Sequence, residues 1–112
     1  MKSDLLSLIG LAAKAGKICY GETLFNTFRK GNVHFVFIGN DQSARSLKQI
    51  HNKCLYYQVP YIEDFDSETL SRVIGKTNIK NIGITDKNFT QLINKRRETD
   101  GKTSEEKKEQ QQ

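Results

Sequence analysis

Apolar residues recur along the first sixteen positions at helical spacing. Leu5, Leu8, Ile9 and Ala12 share one face, Ser3 or Asp4 can cap the helix, and Gly16 is a natural stop. Ile18-Cys19-Tyr20 reads as a short strand and Gly21 as the turn into a second helix. That helix should bury Leu24, Phe25 and Phe28 and end at Gly31. Val33 to Ile38, "VHFVFI", is β-branched and aromatic, with apolar residues at both parities. A strand of that kind is covered on both sides, as in an α/β sheet.

A polar loop follows, Gly39-Asn40-Asp41-Gln42-Ser43, and then a long third helix to about Tyr56 with Leu47, Ile50 and Cys54 inward. The single proline, Pro60, stands at the start of the next strand, where it removes no ladder bond. Asp66 or Ser67 caps a fourth helix with Leu70, Val73 and Ile74 inward. Ile82 and Ile84 mark a final strand, and Thr85-Asp86 caps a last helix that buries Phe89, Leu92 and Ile93. Helices alternating with short strands predict an α/β sandwich with helices on both sheet faces.

From about Arg97 the pattern stops. "RRETDGKTSEEKKEQQQ" has no aliphatic or aromatic residue, so it has little to offset the entropy of ordering. The expected organisation is therefore one domain over 1–96 and a charged, disordered tail over 97–112.

The formal charge of the 112 residues is +5. The tail holds four basic and five acidic residues, so Met1–Arg96 carries +6. A basic domain is a candidate for nucleic acid. Two cysteines, Cys19 and Cys54, are too few and too far apart for a disulfide framework or a zinc motif and fit a reducing cytoplasm. The longest apolar run, Leu5–Ala13, is too short to span a bilayer and has no signal-peptide flanks. A cytoplasmic protein without a membrane partner is expected.

"GLAAKAGKICYGETL", Gly10–Leu24, resembles a nucleotide-binding loop but fails its requirements. Five residues, not four, separate Gly10 from Gly16, and Ile18 stands where a hydroxyl would hold magnesium. The segment also follows a helix instead of a strand. The dinucleotide fingerprint is absent. Cys19, Cys54, His34 and His51 have no short ligand spacing, so no metal is expected. The carboxylates Glu63, Asp64 and Asp66 read as a polar loop with a helix cap, not a catalytic pair. No cofactor and no catalysis are expected. What remains is a set of basic residues, with Lys14 and Lys17 flanking the first turn, Arg29-Lys30 ending the second helix, Lys48 and Lys53 on the third, and Lys76 after Gly75.

Four segments occur in a familiar order: "LIGLAAKAGKICYGE", "FVFIGNDQS", "KCLYYQVP" and "LSRVIGK…GITDKNF". Over about Leu5–Arg96 the chain closely resembles the bacterial YlxQ-type branch of the kink-turn RNA-binding ribosomal protein family, the superfamily of archaeal ribosomal protein L7Ae and eukaryotic L30e. The resemblance implies a three-layer α/β/α sandwich with a small mixed four-stranded sheet. It also implies a monomer that binds kink-turn or related structured RNA, ribosomal RNA included, and that associates with the ribosome in translation without catalysis.

In that family three loops converge on RNA. They correspond here to Gly21, Glu22 and Thr23 with Asn26 one turn on, to Gly39, Asn40 and Asp41, and to Ile74, Gly75 and Lys76 onward to about Lys80. Lys14, Lys17 and Lys30 complete the expected RNA-binding set. The family signature Gly-x-Asn-Glu-x-x-Lys is not met, because Gly21 is followed by Glu22-Thr23-Leu24 and the segment to Gly31 is one residue shorter. That departure points to the alternative, a protein–protein adaptor on the same fold with weak, non-specific RNA affinity.

Overall fold

Phe35, Val36, Phe37 and Ile38 are all buried. Successive strand residues point to opposite faces, so this one strand feeds two cores. The structure, a computed structural model, describes residues 2–100. In chain order it comprises α1 (Lys2–Lys14), β1 (Ile18–Tyr20), α2 (Glu22–Arg29), β2 (Phe35–Ile38), α3 (Ala44–Tyr57), β3 (Tyr61–Ile62), α4 (Ser67–Val73), β4 (Asn81–Ile84) and α5 (Lys87–Asp100). The sheet order is β1-β4-β2-β3. β4 is antiparallel to both β1 and β2, and β2 and β3 are parallel. The expected α/β sandwich with a mixed four-stranded sheet is what forms.

Phe35 and Phe37 join Ile82, Ile84, Leu5, Leu8, Ile9, Ala12, Leu70 and Ile93 in one core, under α1, α4 and α5. Val36 and Ile38 face the other way, onto Leu24, Phe28, Ile50 and Cys54 under α2 and α3. β4 follows the same alternation with one gap, at Gly83. A Cβ placed there would sit 2.6 Å from Leu24 Cδ1 and 3.0 Å from Cys19 Sγ. Glycine at this position therefore lets α2 lie directly on the sheet.

The predicted elements recur with small shifts. The second strand is shorter than Val33–Ile38, although Val33 is buried and the His34 N–H still donates to the Ile84 carbonyl. Asp66 is the cap of α4, its carboxylate accepting from the Thr69 N–H at 2.8 Å. Val73 and Ile74 are only partly buried, whereas Ser71 is buried among them.

Leu92, expected inward, is 42% exposed. The covered face of α5 is the i, i+4 row Phe89–Ile93, and Leu92 lies one residue round the helix from it. α5 also runs past the end of the apolar pattern to Asp100. The Arg97 guanidinium lies 5.3 Å from the Phe35 ring centroid and donates to Asn94 Oδ1. Of the expected tail, residues 101–112 lie outside the described residues. Among the described residues no helix is long and apolar enough to cross a membrane.

Candidate nucleic-acid interface

β1, β2 and β3 all run in one direction and β4 runs against them. Each helix that follows one of those three strands therefore starts at the same end of the sheet. The starts are Gly21 for α2, Ser43 for α3 and Asp66 for α4. The loop Lys76–Lys80, which leads into β4, arrives there too. Ile38 pairs with Asn81 across the sheet, and Tyr20 with Ile82.

The result is a cleft of about 280 Å³ between the starts of α2 and α3. Gly21, Leu24 and Phe25 form one wall, Gln42, Ser46, Gln49 and Ile50 another, and Asn78 to Asn81 the third. Gln42 ties two of the walls together. Its Nε2 donates to Asn81 Oδ1 at 2.7 Å and to the Gly39 carbonyl at 3.0 Å. Ser71 fixes the third wall from behind. Its hydroxyl accepts from the Ile79 N–H at 2.7 Å and donates to the Ile79 carbonyl at 3.2 Å.

The three helix starts differ in how their free N–H groups are met. Ser43 Oγ accepts from Ser46 N on α3. α4 is served twice, by Asp66 and by Asp41, whose carboxylate takes the Ser67 N–H and hydroxyl, both at 2.9 Å. Those bonds hold Asp41 below the usual carboxylate range, the Ser67 N–H contributing most. Bonds from Thr69, its side chain first, do the same for Asp66. α2 instead begins at Gly21, φ 64°, with no side-chain cap. Its first N–H groups therefore face the cleft rim with the positive end of the helix dipole behind them, the arrangement that seats a phosphate.

The structure brings part of the predicted set together and separates the rest. Gly21 lines the cleft, with Glu22, Thr23 and Asn26 exposed on the first turns of α2. Gly39 is buried and donates its N–H to the Lys80 carbonyl at 2.7 Å. Asn40 donates to the Glu63 carbonyl and Asp41 holds Ser67, so these side chains brace the loop. Ile74 packs against the core under α1, α4 and α5.

Gly75 turns the chain at φ 72°, and Lys76 is exposed on a neighbouring depression of about 400 Å³ with Arg72, Ser71 and Thr77. Asn78 borders both hollows. Lys14, Lys17 and Lys30 lie at the opposite end of the sheet. Lys17 stands beside Thr85, four strand residues or ~13 Å from Gly21. Lys30 closes the far end of α2.

Sequence reasoning missed Phe25 as more than core, and missed Gln42, Ser46, Gln49 and Asn81, whereas Asn78 falls within the third expected loop. Ser46 and Gln49 carried a signal: they are polar at i, i+3, directly beside the inward Leu47 and Ile50. The acidic cluster resolves as expected into a polar loop, with Glu63 paired to His51 and Asp66 capping. Both cysteines are free and buried. Burial pushes the Cys54 thiol up to about 12, with the Glu63 charge adding to it, and raises Cys19 as well. Among the described residues no group of three or more His, Cys, Asp and Glu is placed to hold a metal ion.

Comparison with known proteins agrees with this architecture. The chain is 38% identical over 89 residues to the RNA-binding protein YlxQ of Enterococcus faecium, covering 79% of this chain and 85% of that one. It is 35% identical over 87 residues to the RNA-binding protein YlxQ of Bacillus subtilis strain 168, covering 77% and 87%. Both relatives are named as RNA-binding proteins. Among solved structures it is similar to a protein with unknown function from Bacillus halodurans, with a TM-score of 0.74, 32% identity, and coverage of 80% of this chain and 91% of that one. The Giardia lamblia 15.5kD RNA binding protein shares the fold, with a TM-score of 0.67 and 20% identity over 82% of each chain. The family model for Ribosomal protein L7Ae/L30e/S12e/Gadd45 matches residues 3–98, and the chain belongs to that family.

Proposed function

We propose that the protein is a non-catalytic, ribosome-associated RNA-binding protein of the cytoplasm. It recognises kink-turn or related structured RNA at the end of the sheet where the starts of α2 and α3 meet the loop into β4. The observation that carries this reading is the uncapped start of α2 at Gly21, facing the same cleft as Lys80 and a row of neutral amides, Gln42, Gln49, Asn78 and Asn81. Free N–H groups and a lysine take phosphate, while amides can pair with base edges in an opened groove. Both YlxQ relatives are RNA-binding proteins, which supports RNA over another anion.

A gel-shift with a kink-turn RNA and with the same RNA lacking its G·A pairs tests the specificity. Strong preference for the intact kink-turn is expected. Equal, weak binding to both would contradict it. The adaptor reading draws on Glu22-Thr23-Leu24 at the place of the family signature. It predicts protein purified from cells without nuclease-removable RNA, whereas the RNA reading predicts that such RNA copurifies with a monomer.

A further inference from the structure

From Thr23 to Asn40 and from Gln42 to Ile62 the sequence has no Asp or Glu, yet it carries Arg29, Lys30, Arg45, Lys48 and Lys53. These stretches include α3 and all of α2 beyond Glu22, so past the first turn of α2 the flank the two helices share carries basic residues and no carboxylate of its own. The nearest acids are Glu22 at the cleft end and Glu63, which pairs with His51 on the other flank of α3.

Helix geometry sorts that layer further. Ser46 and Gln49 of α3 line the cleft, which fixes the flank of α3 that faces α2. Arg45, Lys53 and Tyr56 continue the same row at i, i+4 and i+3 steps from Gln49. On α2, Phe25 lines the cleft and Arg29 follows it by one turn. The floor between the two rows is aromatic. Phe28 stacks on Tyr57 with centroids 5.4 Å apart, and Tyr56 meets Tyr57 edge-on at 4.8 Å. At the far end Tyr56 is 78% exposed, an unusual state for a tyrosine held by its neighbours. Leu55, also exposed, lies on the other flank, beyond His51, which contacts Tyr61.

We propose that the groove between α2 and α3 is a second RNA surface, a track for a single strand leaving the cleft, with a base stacked on Tyr56 and the backbone held by Arg29, Arg45 and Lys53. From Ser46 to Tyr56 the row spans ~15 Å of helix, the length of on the order of four stacked nucleotides. Aromatic faces interleaved with cations are what single-stranded RNA requires, and such stacking tolerates any base. The surface rests on the reading of the cleft as an RNA site and extends it: the cleft holds the folded RNA, and the groove selects RNA with an unpaired extension.

The test measures binding by fluorescence anisotropy for a kink-turn RNA, for the same RNA with a single-stranded extension at either end, and for the single strand alone. An extension should tighten wild-type binding by roughly five- to hundredfold, the range expected for one stacked base. Tyr56→Ala should abolish that gain and Lys53→Gln should reduce it, both leaving the unextended RNA unaffected, and Tyr56→Phe should retain it. An extension without effect on wild type, or a gain that survives Tyr56→Ala, overturns the groove and leaves the cleft standing. Should the unextended RNA fail to bind, the cleft reading fails instead, and the single strand alone decides for the groove: binding lost in Tyr56→Ala supports it and no binding overturns it. A wild-type dimer in sedimentation that Tyr56→Ala dissolves would assign the face to a second copy and also overturn the proposal.

Discussion

Gln42 Nε2 donates to Asn81 Oδ1 at 2.7 Å and so joins the loop after β2 to the first residue of β4. Without this bond two walls of the cleft would be held together chiefly by the backbone bond from Gly39 to Lys80. Gln42→Ala should cost about 1 kcal/mol of stability, the typical net worth of such a bond. It should weaken RNA binding several-fold by loosening the cleft. Urea unfolding and a binding titration on the same variant check both parts.

Lysines at the two ends of the sheet should behave differently. Lys80→Ala and Lys76→Ala should each reduce the slope of log affinity against log salt by roughly one unit for each phosphate that the lysine neutralises. Lys17→Ala, at the other end, should leave the slope unchanged. Equal effects from all three would mean diffuse attraction to a basic protein and not a localised site.

Gly83→Ala should destabilise by about 1–3 kcal/mol through overpacking, because the added methyl meets Leu24, Cys19 and Val33 in a closed core. Leu24 also lines the cleft, so the shift it must make moves the start of α2. The variant should therefore lose RNA affinity beyond what its residual folding accounts for. Thermal unfolding and binding below the melting temperature separate the two effects.

Asp41 and Asp66 are both held below their ordinary values by hydrogen bonds at the start of α4. A carboxylate whose folded value is depressed adds stability that is complete above its unfolded value, near 4, and is lost as pH falls through the lower folded one. Stability should thus decline as pH falls from about 5 through and below the ordinary carboxylate value near 4. Asp66→Asn and Asp41→Asn should each be less stable near neutrality and show a flatter decline. Urea midpoints across that range provide the check.

The sequence made the elements plain because each is short and has one strong device: alternation in Val33–Ile38, Gly21 and Asp66 at helix starts, apolar rows on the helices. It hid the arrangement of the site. Lys17 and Gly21 are four residues apart in sequence, yet a strand carries them to opposite ends of the sheet. A basic residue near a loop in sequence is therefore no guide to the end it occupies. Strand direction decides this, and it is set by pairings such as Val36 with Tyr61 and Tyr20 with Ile82. Asn40 and Asp41 looked available because a polar loop carries no sign of its partners, which lie 23 and 26 residues on at Glu63 and Ser67. The helical run from Arg97 to Asp100 escaped for a similar reason, since what Arg97 packs on is Phe35, far away in sequence.

The most direct test of the central claim is an amide-resolved NMR titration of the isotopically labelled protein with a kink-turn RNA. The account predicts that the amides of Gly21, Glu22, Thr23, Asn78, Ile79 and Lys80 shift first and most, while those of Lys14, Lys17 and Lys30 stay in place. Shifts concentrated at that opposite end, or spread evenly over all the lysines, would contradict it.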